Sequence, residues 1–475
     1  MIVTKDIINQ TNTVEFFLEG QIQTKQQTIP LKNFFQGTFL ESFYLPQENS
    51  AVLYIGCGKE KELTLLGIKE IFAQIAKQCK EYHIAACGFD FSFFLKKFGE
   101  KAIIQAVLGL SLGNYTYRYL KKEDTFECHY EIGGLSSTNF AKEYIKEALD
   151  LAKSIQFARD MVNTPGNHLR PMDFNRAIKE YVEDIPVEVE TLVYGQLKAM
   201  GMEGLYGIGG SSEYPPCLMI LRYQGNPKDP EIYGLIGKGV TCDTGGYCLK
   251  SAKSMAGIKG DMAGAAAVVG AIHAIAEQKL PINVVACLPL CENRISQSSH
   301  LPGDVIKSYQ GKTIEILNTD AEGRLILADA MSYGIRNEGI TKVLDIATLT
   351  GAVWSALGFT IAGAMSNDDS FYQTFEQGLS FAQETYLRFP YHKEHEKMIK
   401  SNVADIKNIG ADCCGAITAG LFIKEFCEDL PWIHLDIAGT AWSDTPQYAF
   451  DEKGATGAGV TAIYYMLKQA ANIVS

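Results

Sequence analysis

Apolar residues in the first third of the chain fall into short runs separated by helical patterns. Ala51–Gly56 is an apolar run of strand length, Leu65–Lys77 repeats apolar residues at helical spacing, and Tyr82–Ala86 reads as another strand, which together describe a small α/β unit. From Asn139 to Asp160 apolar residues recur every three or four positions with neither Gly nor Pro among them, the pattern of a long amphipathic helix. That helix runs into Asn163-Thr164-Pro165-Gly166-Asn167, a cluster of turn formers. The expected division is an N-terminal α/β domain, 1–160, ending in this linking helix, and a larger C-terminal α/β domain, 161–475. In the second, strand-like runs recur at Cys217–Tyr223, Tyr233–Gly237, Ile282–Cys287, Thr313–Leu317, Val343–Ala347 and Ile433–Ile437, with helical segments between most of them. The alternation predicts a mixed, largely parallel sheet flanked by helices, an architecture in which ligands gather outside the carboxyl ends of the strands.

A chain of 475 residues exceeds the size at which one hydrophobic core stops growing, which agrees with two domains. With 47% hydrophobic and 21% charged residues, it has the composition of ordinary folded domains. The formal net charge of -12 repels polyanions and argues against nucleic acid as the main partner. None of the 12 cysteines stands in a CxxC pair, so they read as reduced thiols. The opening MIVTKDIINQ lacks the basic and apolar regions of a secretory signal, and no run approaches the roughly 20 apolar residues that span a bilayer, so the expected location is the cytoplasm, away from membranes.

Ionisable residues concentrate in three places. Lys238-Gly-Val-Thr-Cys-Asp243-Thr-Gly-Gly follows the run Tyr233–Gly237. Lys250 comes next, and then Asp261 directly before the small-residue-rich helical run Met262–Gln278. As an isolated Asp it reads first as a helix cap. Third, Asn318-Thr-Asp320-Ala-Glu322-Gly-Arg324 follows Thr313–Leu317 and leads into the helix Leu325–Arg336. Asp320 and Glu322 are two residues apart, so an extended chain would send both carboxylates to one side, where they repel unless cations lie between them. Arg324 beside the N–H groups of a helix start makes a place for a small anion. Four acids at expected strand ends, with no His or Cys among them, suit Mg, Mn or Zn better than copper or an iron–sulfur cluster, and point to two divalent ions.

These residues stand in GKGVTCDTGG, Leu249-Lys250, KGDMAGAAA and NTDAEGRLILADA, followed by DIATLTGA at Asp345–Ala352, PWIHLDIAG at Pro431–Gly439 and GATG at Gly454. Together they resemble the leucyl aminopeptidase family, the cytosol aminopeptidases. The resemblance implies a two-metal peptidase that removes the N-terminal residue of peptides with a free α-amine, preferring Leu-like side chains. It implies Lys238, Asp243, Asp261 and Glu322 as ligands of one ion and Asp243, Asp320 and Glu322 as ligands of the other. Lys238 would ligate as a neutral amine, its pKa depressed by burial and the neighbouring dication. Lys250 is implied to polarise the scissile carbonyl, Arg324 to hold a bicarbonate, and Ile258, Thr348 and Gly351 to line the side-chain pocket. A homohexamer is implied as well. The sequence departs from the family pattern at Ile258, where methionine is usual, at Cys242, where Phe is common, and at Gly457-Ala-Gly, where Gly-Arg-Pro is common.

Other signals carry less. Gly237–Gly239 lacks the GxxxxGK[ST] of a phosphate loop, and HExxH is absent. A narrow dipeptidase of Cys-Gly type would share every ligand named above. A catalytically silent member would have lost Asp320 or Glu322, and one with an added DNA-binding regulatory role would need a basic surface that the charge balance does not suggest.

Overall fold

Strands covered on both faces read as unbroken apolar runs, and runs of this kind form the centres of the two large sheets. The computed structural model describes residues 1–5, 8–21, 34–121, 126–135 and 141–472. They group into two units, Met1–Lys153 with Thr445–Glu452, and Ser154–Asp444 with Lys453–Ser475.

The first unit contains β1 (Ile2–Thr4), β2 (Thr13–Phe17), β3 (Ser42–Pro46), β4 (Ala51–Gly56), β5 (Ala86–Asp90) and β6 (His129–Gly133). Their order is β1-β6-β5-β2-β4-β3, parallel throughout except for β3, which runs antiparallel at one edge. Helices Leu65–Glu81 and Lys101–Gly113 meet so closely that a Cβ on Gly109 would lie 2.2 Å from the Lys69 carbonyl oxygen. The expected strand Tyr82–Ala86 is instead Ala86–Asp90. The helix continues past Lys77, and the N–H groups of Tyr82 and Ile84 close its end on the carbonyls of Gln78 and Cys79.

The second unit contains β7 (Glu188–Val193), β8 (Cys217–Gln224), β9 (Ile232–Gly237), β10 (Gly239–Asp243), β11 (Asn283–Asn293), β12 (Val305–Lys307), β13 (Thr313–Glu315), β14 (Lys342–Ala347), β15 (Ile361–Ser366), β16 (Thr385–Arg388), β17 (Ile406–Lys407) and β18 (Trp432–Asp436). Its main sheet runs β16-β15-β18-β14-β9-β11-β8-β7, with β10 alongside the far end of β11. The centre, β18-β14-β9-β11, is parallel, and antiparallel pairs appear at β15, β8 and β7, giving the mixed α/β sheet that the sequence pattern predicts. The run Thr313–Leu317 does not join it. Strand β13 is only three residues long and pairs with β12 and β17 in a small separate sheet, because the chain turns away toward Asp320.

Helices cover both faces of the centre. Gly237 faces helix Ala263–Glu277, where its Cβ would lie 2.7 Å from Ala265 Cα, while the neighbouring Ile236 faces helix Glu322–Glu338 at Gly334. Successive strand residues point to opposite faces, so these two helices sandwich the sheet. The segment Ile258–Glu277 is long and apolar enough to cross a membrane by composition, contrary to the expectation that no run comes near. Its helical part, Ala263–Glu277, is a core helix, apolar all round because it is covered all round, and 78% of the segment's apolar window is buried.

Gly264 marks the tightest of these contacts, since a Cβ there would lie 2.2 Å from the Ile346 carbonyl oxygen. Gly264→Ala must push the helix off the sheet, at about 1–3 kcal/mol. Scanning calorimetry should show the thermal midpoint falling by a few degrees, and an unchanged midpoint would mean that the helix shifts without cost.

Candidate active site

Lys238 stands at the break between β9 and β10, its N–H donating to Ile346 O at 3.1 Å and its own carbonyl accepting from Ala265 N at 2.8 Å. With its backbone tied to β14 and to a core helix, the side chain runs inward and is 3% exposed. It crosses Gly323, where a Cβ would lie 2.4 Å from Lys238 Cε. The ammonium lies 2.7 Å from Asp261 Oδ1 and 2.9 Å from Glu322 Oε1, and donates to Thr348 O at 3.2 Å.

Asp243 closes β10 opposite Asn293, the last residue of β11. Asn293 Nδ2 donates to Asp243 Oδ1 at 2.9 Å and to Thr319 O at 3.0 Å, joining the strand end to the turn that carries Asp320. Thr319 Oγ1 donates to Gly245 O at 2.6 Å and accepts from Cys248 N at 2.8 Å. These bonds fold residues 244–250 back on themselves. Gly245 is required in this turn: its φ is +86°, and a Cβ would lie 2.6 Å from Cys248 O and 2.9 Å from Asp320 Oδ1. The turn delivers the Lys250 ammonium 2.6 Å from Asp243 Oδ2 and into a hydrogen bond with Asp320.

Asp320 and Glu322 do not lie on extended chain as the spacing suggests. Asp320 sits in a turn, its N–H bonded to Asn318 Oδ1 at 2.8 Å, and Glu322 is the first residue of the helix Glu322–Glu338. The turn still brings carboxylate oxygens of Asp243, Asp320 and Glu322 within 4.8 Å of one another. Asp261 is not the helix cap that its position suggests. The cap is Met262, without a side-chain bond, and the Asp261 carboxylate accepts instead from Lys238 and from Thr348 Oγ1 at 2.8 Å. Of the four acids only Asp243 ends a strand, and Asp261, Asp320 and Glu322 do not.

One cavity of about 330 Å³ is lined by Lys238, Asp243, Lys250, Asp261, Asp320 and Arg324, with Thr348 and Gly351 on its wall. Arg324 donates from Nη1 to Asn408 O at 2.6 Å, while its buried Nε has no partner. A second cavity, about 280 Å³, shares Asp243, Lys250, Asp261 and Thr348 and is walled by Ile258, Trp354, Ala438, Ala441 and Trp442. Of the expected pocket residues, Ile258 and Thr348 thus line this second space, and Gly351 lines the first.

Four carboxylates meet two lysine ammonium groups here. Burial, and then the charge of Asp243, push Glu322 up to about 8. Burial raises Asp261 to about 6 against the pull of Lys238, and Asp320 is raised by burial and by Asp243. Burial alone would depress Lys238, but Asp261, Glu322 and Asp243 outweigh it and hold the ammonium above its ordinary value. Burial lowers Arg324 to about 10. The acids are under-neutralised. Asp261 Oδ2 has no hydrogen-bond partner, and Glu322 Oε1, though 2.9 Å from Lys238 Nζ, accepts no hydrogen bond. An all-oxygen donor set with free lone pairs and excess negative charge fits hard divalent cations.

The sequence pattern gave no role to Asn293, Asp436, Trp354 or Trp442. Asp436, at the end of β18, accepts from Thr350 Oγ1 at 2.6 Å and from Leu349 N at 3.1 Å, fixing the turn after β14. It lies inside the PWIHLDIAG segment, so a signal was present for it. An amide at a strand end, such as Asn293, carries none.

Known proteins resemble this chain along most of its length. Residues 156–464 match the catalytic domain of the cytosol aminopeptidase family, and residues 36–124 match that family's N-terminal domain. A probable cytosol aminopeptidase of Clostridium perfringens is 37% identical over 455 residues, 94% of this chain and 92% of that one. Another, of Treponema denticola, is 37% identical over 93% of this chain and 94% of its own. The chain belongs to the cytosol aminopeptidase family. It is accordingly a metallo-aminopeptidase, a hydrolase of peptide bonds acting at N-termini. Among solved structures, the bottromycin maturation enzyme BotP is similar with a TM-score of 0.88 and 28% identity, covering 97% of this chain and 99% of that one, and BotP in complex with Mn is similar with a TM-score of 0.89.

The raised carboxylates give metal-stripped protein a pH signature. Glu322 binds its proton more tightly folded, at about 8, than at its ordinary 4.5, so its contribution to stability is full below 4.5 and is lost as pH rises to about 8. The thermal midpoint should fall across that window. Added Mn or Zn should restore it, more at pH 8 than at pH 6, because protons compete for the same oxygens. A metal-free midpoint that stays flat or rises over this range, with no response to either ion, contradicts the assignment.

Proposed function

We propose that this chain is a two-metal leucyl aminopeptidase that takes peptides with a free α-amine and an N-terminal Leu-like side chain, with residues 161–475 carrying the reaction and 1–160 forming a separate N-terminal domain. The observation that carries the reading is the convergence of Lys238, Asp243, Asp261, Asp320, Lys250 and Arg324 on one cavity, with Glu322 buried behind its wall against Lys238, Asp243 and Asp320, so that acids outnumber lysines. Lys238, Asp243, Asp261 and Glu322 would hold one ion, and Asp243, Asp320 and Glu322 the other. Zn and Mn are the ions proposed, with Mg a third choice; Mn is the ion in the BotP complex. When bound, two divalent ions supply Lewis acidity toward the α-amine and the scissile carbonyl and lower the pKa of water. Lys238, kept protonated by Asp261, Glu322 and Asp243, would ligate as a neutral amine where bound cations offset that carboxylate field.

The other side chains have separate tasks. Lys250, paired with Asp243 and Asp320, is placed to donate to the oxyanion that forms at the attacked carbonyl. Arg324, with its buried unpartnered Nε, would hold a bicarbonate, an anion that offers a place for the proton given up by water. The walls of Ile258, Trp354, Ala438, Ala441 and Trp442 favour apolar side chains. The homohexamer and the cytoplasmic location rest on the family resemblance.

The test is hydrolysis of a leucine-anilide chromogenic substrate by metal-stripped protein, with and without Mn or Zn, beside its N-acetylated analogue. Only the free-amine substrate should be cleaved, only with metal, and Glu322→Ala should be inactive. Lys250→Ala should lower kcat about 10²–10³-fold with little change in KM. Gly323→Ala should keep the fold but lose activity, because its methyl occupies the space of Lys238 Cε. Folded, metal-loaded protein that leaves free-amine anilides and dipeptides intact would sink the proposal.

A further inference from the structure

Three cysteines far apart in sequence meet inside the first unit. Cys79 lies in the last turns of helix Leu65–Glu81, Cys87 is the second residue of β5, and Cys128 directly precedes β6, the strand paired with β5. All three are buried, at 0%, 1% and 3% exposure. The sulfurs of Cys79 and Cys87 are 3.8 Å apart, and all three sulfurs lie within 4.8 Å of one another. Their spacing in the chain matches no cysteine motif, so the cluster appears only in the fold.

Three fates are open to such a cluster: packed thiols, a disulfide with one thiol left over, or a shared ion. A disulfide brings sulfurs to about 2.05 Å. Cys79 and Cys87 would have to close most of 2 Å through an interior with no slack. A triangle of sulfurs around one ion, with metal–sulfur bonds of about 2.3 Å, has edges of about 4 Å, and the 3.8 Å edge between Cys79 and Cys87, with the other two no longer than 4.8 Å, is close to that size. Structural zinc takes four ligands and iron–sulfur clusters four cysteines. Among the described residues no His, Asp or Glu completes this group to four. Thiolates select monovalent copper among the soft ions, and that closed-shell ion is content with three ligands.

We propose that Cys79, Cys87 and Cys128 form a trigonal thiolate site for one Cu(I) ion, built by the first unit alone. The ion enters already monovalent and nothing is oxidised or reduced. Each sulfur that ligates releases its proton to solvent. The site clamps the end of a helix, the start of β5 and the entry to β6 to one point, so loading stabilises this unit.

The experiment is an anaerobic titration of the full, reduced chain with Cu(I) against a competing chromogenic chelator. One equivalent per chain should be retained by the wild type, with affinity falling at least tenfold in Cys79→Ser and in Cys87→Ser. The main rival is the exposed adjacent pair Cys413 and Cys414, so the double variant Cys413→Ser/Cys414→Ser should keep the bound ion. X-ray absorption on loaded wild type should find three sulfur neighbours, a readout that survives if a cluster variant fails to fold. The proposal is overturned by two sulfurs or an oxygen and nitrogen shell, by retention in folded Cys79→Ser, by loss in the Cys413/Cys414 variant, or by a Cys79–Cys87 disulfide in the purified protein.

Discussion

The electrostatic cost of gathering Asp243, Asp261, Asp320 and Glu322 into one buried space governs the design of the second unit. An uncompensated buried charge costs several kcal/mol, and here four acids share a volume into which only two ammonium groups reach. Each positive group comes from a different element: Lys238 from the break between β9 and β10, Lys250 from a glycine turn, and the positive end of a helix beneath Glu322. The compensation stays incomplete, as the raised Glu322 and Asp261 register. A centre that held its acids fully paired within the protein would have little affinity left for cations.

That incompleteness has to be held rigidly, or the acids would relax apart. The parallel centre of the sheet does this by burying β9, β11 and β14 on both faces. Its two covering helices approach at glycines, Gly264 over Ile346 and Gly323 under Lys238. The site then lies beyond the carboxyl ends of β9, β10, β14 and β18, where strand order leaves room. Asn293 and Asp436 extend the same rigidity one step outward, one fixing Asp243 to the Asp320 turn and the other fixing the turn after β14. Neither needs a charge of its own in the cavity to matter.

How much of this was readable beforehand varied with the kind of information required. Short, mostly apolar runs such as Val343–Ala347 named their strands to within a residue, because burial on both faces favours apolar residues along the whole strand. The run Thr313–Leu317 misled, since a short apolar stretch fits a minor sheet as well as a major one. Lys238, Asp243, Asp261, Asp320 and Glu322 were legible only as a set joined to a family pattern. Taken alone, Asp261 favoured a cap, and nothing in local sequence shows that its carboxylate turns to Lys238 and Thr348 instead. The Cys79, Cys87 and Cys128 cluster was invisible for the same reason, its members being joined by strand pairing and not by spacing.

On the proposed function, the second cavity lets recognition and chemistry share parts. Asp243, Lys250, Asp261 and Thr348 line both spaces, so on the proposed reading a side chain seated between Trp354 and Trp442 would lie against the groups proposed to hold the reacting end. The Thr348 hydroxyl is already given to Asp261, and the Trp442 indole N–H to Asp444 at 3.3 Å. Ser254, on the same wall, shares its hydroxyl with Ser251 Oγ at 3.1 Å, so three polar groups of this space are engaged with neighbours. The wall of Ile258, Trp354, Ala438, Ala441 and Trp442 then offers mainly apolar contact, and a methylene more or less in an apolar pocket is worth about 1–3 kcal/mol. On the proposed reading, such a pocket ranks Leu-like residues above others by degrees, while the requirement for a free α-amine is set by the centre beside it.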